Sequence, residues 1–225
     1  MLPRYESQIN ELHQMISRLL ERIVSASETA FQAFGDHRPE QYMDAVSGLK
    51  GLEQDANAID NEVIKTFALF GPEANELRML VAYLKMTNEM VRIGEGIKKY
   101  ARRMKEHAEG ECDLVPLETT IIQLHKSTIN ALRYILDCFH QMEQCDTDDF
   151  YRRVMVEESK NDDLFAILEK DILSQIIKES ELSGEYVRVL GTMRKLERAC
   201  DRSVNIANLM LYAQKGGTMQ VYSAQ

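Results

Sequence analysis

Met90-Val-Arg-Ile-Gly-Glu95 and Leu196-Glu-Arg-Ala-Cys-Asp201 are two versions of one short pattern, which recurs at an offset of roughly 110 residues. Each version combines apolar residues with an arginine and a closing acid, and each lies in a long segment of helical periodicity. Leu12-His13 and Leu124-His125 match at a similar offset. The chain therefore contains an internal duplication, and this duplication decides the fold.

Prolines and glycines mark the ends of the helical segments. Pro39, Pro72 and Pro116 fall where the apolar pattern breaks, and Gly35 and Gly71 accompany two of these breaks. Proline is tolerated in the first turn of a helix, and glycine often ends the helix before it. Between the breaks, apolar residues recur with a period near 3.6, and no segment alternates as a strand would. The pattern predicts six long helices, at 4–35, 39–70, 72–108, 116–144, 147–181 and 183–214.

The duplication divides these six helices into two sets of three. We therefore predict an all-α fold of two tandem three-helix bundles, related by a pseudo-twofold axis. The predicted domains are residues 1–110 and 111–225, and the segment from Glu109 to Val115 is the predicted connector.

Composition excludes several classes of protein. The 225 residues include 27 Lys and Arg against 36 Asp and Glu, a net charge of -9, which argues against nucleic-acid binding. The longest clear apolar run, Met79 to Leu84, is too short to span a bilayer, so any membrane role is peripheral. No basic and apolar leader opens the chain, and the four cysteines form no C-x-x-C. We expect buried thiols and a cytoplasmic location.

Acidic residues interrupt the apolar stripes of the fifth and sixth predicted helices. Glu158-x-x-x-Asp162 and Glu197-x-x-x-Asp201 each place two carboxylates one turn apart on one helix face, and Glu169 falls on the first of these stripes. Because unpaired carboxylates are costly to remove from water, five acids on facing stripes need compensation.

Three kinds of compensation are open. Hard multivalent cations prefer carboxylate oxygens and can bridge acids on neighbouring helices. Alternatively, Lys160, Arg194 and Arg198 are near enough in sequence to form salt bridges, or this part of the stripe stays wet. A single pair at this spacing is typical of a solvated helix, whereas the repetition in a duplicated frame favours metal.

The first half keeps only the second acid of each pair. Leu49 and Val91 stand where Glu158 and Glu197 stand in the second half. A first-half site should therefore bind metal weakly or not at all. The weaker metal candidates are Glu53, Asp60 and Glu95, with Lys50 or Lys98 as local counter-charges.

The repeated motifs resemble the signature of the PhoU family of phosphate uptake regulators, whose two halves each carry a pattern close to L-E-R-I-G-D followed by a stretch such as V-N-I-A. Leu196-Glu-Arg-Ala-Cys-Asp-Arg-Ser-Val-Asn-Ile-Ala207 follows the pattern closely, and Met90-Val-Arg-Ile-Gly-Glu95 follows it loosely. In helix count, helix length and duplication, the resemblance extends over essentially the whole chain.

This resemblance implies a cytoplasmic, non-enzymatic, usually dimeric or oligomeric protein with multinuclear metal clusters of iron, zinc, magnesium or manganese on E(D)-x-x-x-D motifs. It implies a relay between a phosphate ABC transporter ATPase and a sensor histidine kinase, which restrains the phosphate-starvation response. The ligand positions it implies are Glu158, Asp162, Glu197 and Asp201, with Glu169 at an often acidic position. Leu49 and Val91 depart from the pattern, which leaves open a paralogue that serves another phosphate transporter.

Two other functions remain as alternatives: a carboxylate-rich metalloprotein with catalytic or storage activity, and a helical scaffold whose acids form salt bridges. A di-iron enzyme normally needs an E-x-x-H motif, and the five histidines offer none. We expect His13 and His125 to be packing or helix-surface residues. Nucleotide-binding glycine motifs are absent, and the net negative charge argues against direct phosphate binding.

Overall fold

The computed structural model describes residues 2–142 and 144–217, and these form helices and turns without a strand. The all-α prediction is therefore confirmed. Within these described residues seven α-helices follow one another: α1 (Leu2–Gly35), α2 (Tyr42–Gly48), α3 (Leu52–Phe70), α4 (Ala74–Ala108), α5 (Glu118–His140), α6 (Thr147–Lys178) and α7 (Ser183–Lys215). Short 3-10 turns at Pro39–Gln41, Val115–Leu117 and Ser180–Leu182 precede α2, α5 and α7.

The helices pack as two related sets, α1 to α4 and α5 to α7; the first has four helices because α2 and α3 are separate. In the first set α1 contacts α2, α3 and α4, and in the second set α5, α6 and α7 contact one another. Across the pseudo-twofold axis, α1 packs on its counterpart α5, and α4 packs on its counterpart α7 in the most extensive helix contact of the molecule. One continuous apolar core runs through both sets.

Local sequence signals explain where the helices begin. Asp146 caps α6, because its side chain accepts hydrogen bonds from the backbone N–H groups of Asp148 and Asp149. Glu73 and Glu76 form a reciprocal capping box at the start of α4. Pro39 and Pro116 lie in the 3-10 turns before α2 and α5, where the missing N–H costs nothing. The prolines thus punctuate the helices as predicted.

The single helix predicted at 39–70 is wrong, because the chain breaks between α2 and α3. Gly51 adopts a left-handed conformation, with φ of 81°, which glycine reaches without steric cost. The Arg22 side chain of α1 donates to the carbonyls of Gly48 and Lys50, at 2.9 and 2.7 Å for its Nη2 atom. These bonds satisfy carbonyls that a continuous helix would have paired internally.

The expectation of four thiols is also wrong. Cys138 at the end of α5 and Cys145 before α6 form a disulfide, with a Cα–Cα distance of 5.3 Å. The two cysteines meet because the chain reverses direction between α5 and α6. The six residues between them form no known motif, so the sequence did not predict this reversal. Cys112 and Cys200 are free and buried, as expected.

His125 links the two halves deep in the core. Its Nε2 lies 3.2 Å from the Ser27 hydroxyl of α1, and its Nδ1 lies 3.3 Å from the Tyr100 hydroxyl of α4. Burial lowers the pKa of His125 to about 3, so the imidazole is neutral at physiological pH. His13 stacks on the Phe139 ring at 4.3 Å between centroids. Both histidines are packing residues, as predicted.

Candidate metal centre

Three of the five predicted ligands meet where α6 packs against α7. Glu158 and Asp162 lie one turn apart on α6, and Asp201 faces them from α7. One carboxylate oxygen from each residue lies within 4.8 Å of one from each of the others. This is the distance range in which three oxygens can share a single cation.

Arginines cancel the negative charge of the cluster only in part: Arg194 lowers the pKa of Asp162 and Arg202 lowers that of Asp201, yet both pKa values stay raised. Burial, followed by the charges of Glu197, Asp162 and Glu158, raises the pKa of Asp201 from 3.8 to about 7. Burial also raises the pKa of Glu158, with a further contribution from Asp162, and raises the pKa of Asp162, with a contribution from Asp163. Within residues 2–142 and 144–217, none of the three clustered acids forms an ion pair.

Arg194 holds the other two predicted acids. Its guanidinium donates to Glu197 Oε1 at 2.9 Å and to Glu169 Oε1 at 3.3 Å. The same guanidinium lies 4.1 Å from the centroid of the Phe165 ring, where a cation–π interaction stabilises its charge. The salt-bridge interpretation therefore holds for Glu169 and Glu197. Lys160, the other predicted counter-charge on α6, pairs with Glu157 at 3.8 Å.

The three clustered acids fit a hard cation. Three carboxylates offer only oxygen ligands, which Mg²⁺, Mn²⁺, Fe²⁺ and Zn²⁺ all accept, and they leave positions for water. Burial and the neighbouring acids raise the pKa values of Glu158, Asp162 and Asp201, so a bound cation would stabilise their ionised forms. Glu197 Oε2 is buried and has no hydrogen-bond partner among the described residues, so one further oxygen lies one turn from Asp201.

A buried polar network behind the cluster was missed by sequence reasoning. Asn161 of α6 is fully buried, and its Nδ2 lies 2.7 Å from Ser127 Oγ and 3.0 Å from the Leu124 carbonyl on α5. Thr128 lies 3.1 Å from the same nitrogen and donates to the Leu196 carbonyl of α7. This network joins α5, α6 and α7 beside the acids. Its one sequence signal was a small amide on the apolar side of α6.

The corresponding place in the first half is apolar. Leu49 is fully buried where Glu158 stands in the second half, and Leu52 occupies the position of Asn161. Gly94 corresponds to Cys200, and a Cβ atom added there would overlap Leu52 Cδ2. Hydrocarbon thus fills the space in which the second half carries polar atoms.

The first-half acids do not assemble. Glu95 pairs with Lys98, as predicted, and Glu53 is exposed. Asp60 is half-buried, and burial raises its pKa. No second group of three His, Cys, Asp or Glu side chains comes as close together in the described part of the chain.

Comparison with protein families yields two matches within this chain. The PhoU domain matches residues 16–104 and again residues 121–210. The phosphate-specific transport system accessory protein PhoU of Edwardsiella tarda is 28% identical over 159 residues, which are 71% of this chain and 63% of that protein. The chain thus matches less than two thirds of that relative's length. The PhoU homolog of Streptococcus pneumoniae is 22% identical over 95% of this chain and 96% of its own.

Two solved structures share the architecture. PhoU from Pseudomonas aeruginosa superposes with a TM-score of 0.85 at 19% identity, over 95% of this chain and 100% of its own. The phosphate transport system regulatory protein PhoU from Streptococcus pneumoniae superposes with a TM-score of 0.72 at 16% identity, over 96% of this chain and 100% of its own. At these identities the structures show a common fold.

Proposed function

The chain belongs to the PhoU family, and from this premise we propose that it regulates phosphate uptake as a non-enzymatic accessory protein of a phosphate transporter. The observation that carries this proposal is the duplicated family match, which covers most of both halves. Relatives named phosphate-specific transport system accessory proteins support it. Exposed helical faces would serve as the contact surfaces for other proteins.

The proposal includes a metal site in the second half. Glu158, Asp162 and Asp201 would hold a divalent cation, which would cancel their mutual repulsion and stabilise the contact between α6 and α7. Arg194 already neutralises Glu169 and Glu197 through ion pairs, so these two acids need no metal. We infer a structural role for the site: a bound cation would fix the geometry of this helix pair, which a partner would recognise.

The proposed partners are the ATPase of a phosphate ABC transporter and a sensor histidine kinase, which this protein would connect as a homodimer in the cytoplasm. No helix in the described part of the chain is long and apolar enough to cross a membrane.

Gene deletion tests the regulatory role. In phosphate-rich medium, loss of the gene should raise alkaline phosphatase output and alter phosphate uptake, and the wild-type gene should reverse both changes. A deletion strain with unaltered uptake and phosphatase output would refute the role. Complementation with Glu158→Gln and Asp201→Asn combined asks whether regulation needs the acid cluster.

Metal analysis separates a structural site from the storage alternative. Protein purified without chelator should carry about one tightly bound divalent ion per chain, since only one triad of acids assembles in the described residues. Uptake of many ions per chain, or turnover with oxygen or a phosphoester, would favour storage or catalysis instead.

A further inference from the structure

A groove between α4 and α7 concentrates positive charge on a chain whose net charge is -9. Its volume is about 280 Å³, and it lies on the seam between the two halves. Five of its eight lining residues are basic. These are Arg92 and Lys99 from α4, and Lys195, Arg198 and Arg202 from α7.

The acids of the groove neutralise only part of this charge. Glu89 of α4 binds Arg202 at 2.8 Å and lies 3.9 Å from Arg92. Glu95, the acid that lines the groove itself, pairs with Lys98. The other three lining cations form no ion pair within residues 2–142 and 144–217. These three are Lys99, Lys195 and Arg198.

The groove has the symmetry of the duplication. α4 and α7 run antiparallel here, since Glu89 contacts Arg202 while Gly96 lies against the Lys195 carbonyl. Arg92 and Arg198 fall between these two contacts and occupy equivalent positions of the two repeats. The pseudo-twofold axis therefore passes beside a pair of guanidinium groups, one from each half.

The charges in the groove repel one another. Burial lowers the pKa of Lys195, and the neighbouring cations Arg198, Lys99 and Arg103 lower it further. An anion bound among these groups would relieve the repulsion. Charge at the far side of the protein is screened over about 8 to 10 Å at physiological salt, so the net acidity of the chain does not prevent local anion binding.

We propose that this groove binds a phosphate group, from a soluble phosphate or pyrophosphate or from a lipid headgroup. Guanidinium groups donate to phosphate oxygens in pairs, and lysines add point charge, so the groove offers both modes. Its small volume suits a compact, multiply charged oxyanion. The proposal revises the expectation that the net negative charge argues against direct phosphate binding, and it does not depend on the metal site or on the regulatory role.

Two matched double variants test the groove. Lys99→Gln with Arg198→Gln removes two exposed, unpaired cations from it, whereas Lys126→Gln with Lys178→Gln removes two exposed cations from α5 and α6. Titration calorimetry with pyrophosphate and orthophosphate, at constant ionic strength, should show saturable binding to the wild type. The groove variant should bind about tenfold more weakly, and the control variant should bind unchanged.

Vesicles distinguish the source of the phosphate. Sedimentation with phosphatidylcholine vesicles, with and without phosphatidic acid, tests the headgroup. Binding that is lost only in the groove variant supports the proposal, whether the soluble anion or the vesicle binds. Failure of both probes, or equal weakening in both double variants, overturns it. Weaker binding in Asp162→Asn with full binding in the groove variant also overturns it, since the anion would then be held through a cation at the acid cluster.

Discussion

The two halves of the molecule share a helical arrangement but carry different side chains at equivalent positions. Where α6 meets α7, the second half carries Glu158, Asn161 and Cys200; the first half has Leu49, Leu52 and Gly94 at the same positions. In the first half a leucine packs into the space that a glycine leaves. The difference teaches that the duplicated frame tolerates either a polar or an apolar filling, so a site can be confined to one half.

The largest expected effect comes from exchanging the buried residues between the halves. Leu52→Asn should lower the free energy of unfolding by about 3 to 5 kcal/mol, because it removes apolar burial and leaves an amide without partners. Asn161→Leu should cost only about 1 to 3 kcal/mol, since Ser127 and Thr128 keep their bonds to the Leu124 carbonyl. Urea denaturation measures both. Equal costs would show that the halves are interchangeable here.

The next largest effect should fall on cation binding. Glu158→Gln, Asp162→Asn and Asp201→Asn combined should weaken divalent-cation affinity by at least about 100-fold, because every clustered carboxylate is removed. Glu53→Gln with Glu95→Gln is the first-half control and should leave affinity unchanged. Calorimetry with Mn²⁺ gives both values. A comparable loss in the control would place a cation in the first half.

The acid cluster should also make the second half sensitive to pH. Below about pH 7 a cation must displace the Asp201 proton, so its apparent affinity should fall by about tenfold per pH unit. Without cation, the free energy of unfolding should decrease as pH rises from about 4 to about 7, because the folded protein retains a proton that the unfolded chain releases. Denaturation of wild type and Asp201→Asn across this range tests it; identical slopes would contradict it.

The smallest effect on cation binding is expected from replacing Arg194. Arg194→Gln removes the charge that holds Glu169 and Glu197, so the acid cluster should become more negative. Divalent-cation affinity should then rise by about threefold. Arg188→Gln, an exposed arginine paired with Glu185 on the same helix, is the control and should change nothing. Weaker binding in Arg194→Gln would mean that the arginine positions the acids.

Much of the fold could be predicted because helical periodicity and punctuation are local signals. Five of the six predicted helices exist near their expected bounds. The break at Gly51 was missed because the partner that satisfies it, Arg22, comes from another helix. The disulfide between Cys138 and Cys145 was missed for a related reason, since it depends on how the chain reverses between α5 and α6.

The candidate site was predictable only as a set of residues. The spacing placed Glu158 with Asp162 and Glu197 with Asp201 on one helix face each, but it could not show which of these acids would form ion pairs with an arginine. Arg194 precedes Glu197 by one turn and also reaches Glu169 across the helix interface, a geometry that depends on side-chain direction. The basic groove could not be predicted from net charge, which averages over the whole chain and does not show that five cations lie together on the seam between α4 and α7.

The antiparallel packing of α4 on α7 bears on the origin of the molecule. Each helix buries part of its surface against the copy of itself, so a primitive chain with one repeat would have exposed that part unless two such chains associated. Gene fusion would have turned this association into a covalent one. Once joined, the copies no longer had to be identical, and one could acquire a cluster of carboxylates while the other kept an apolar core.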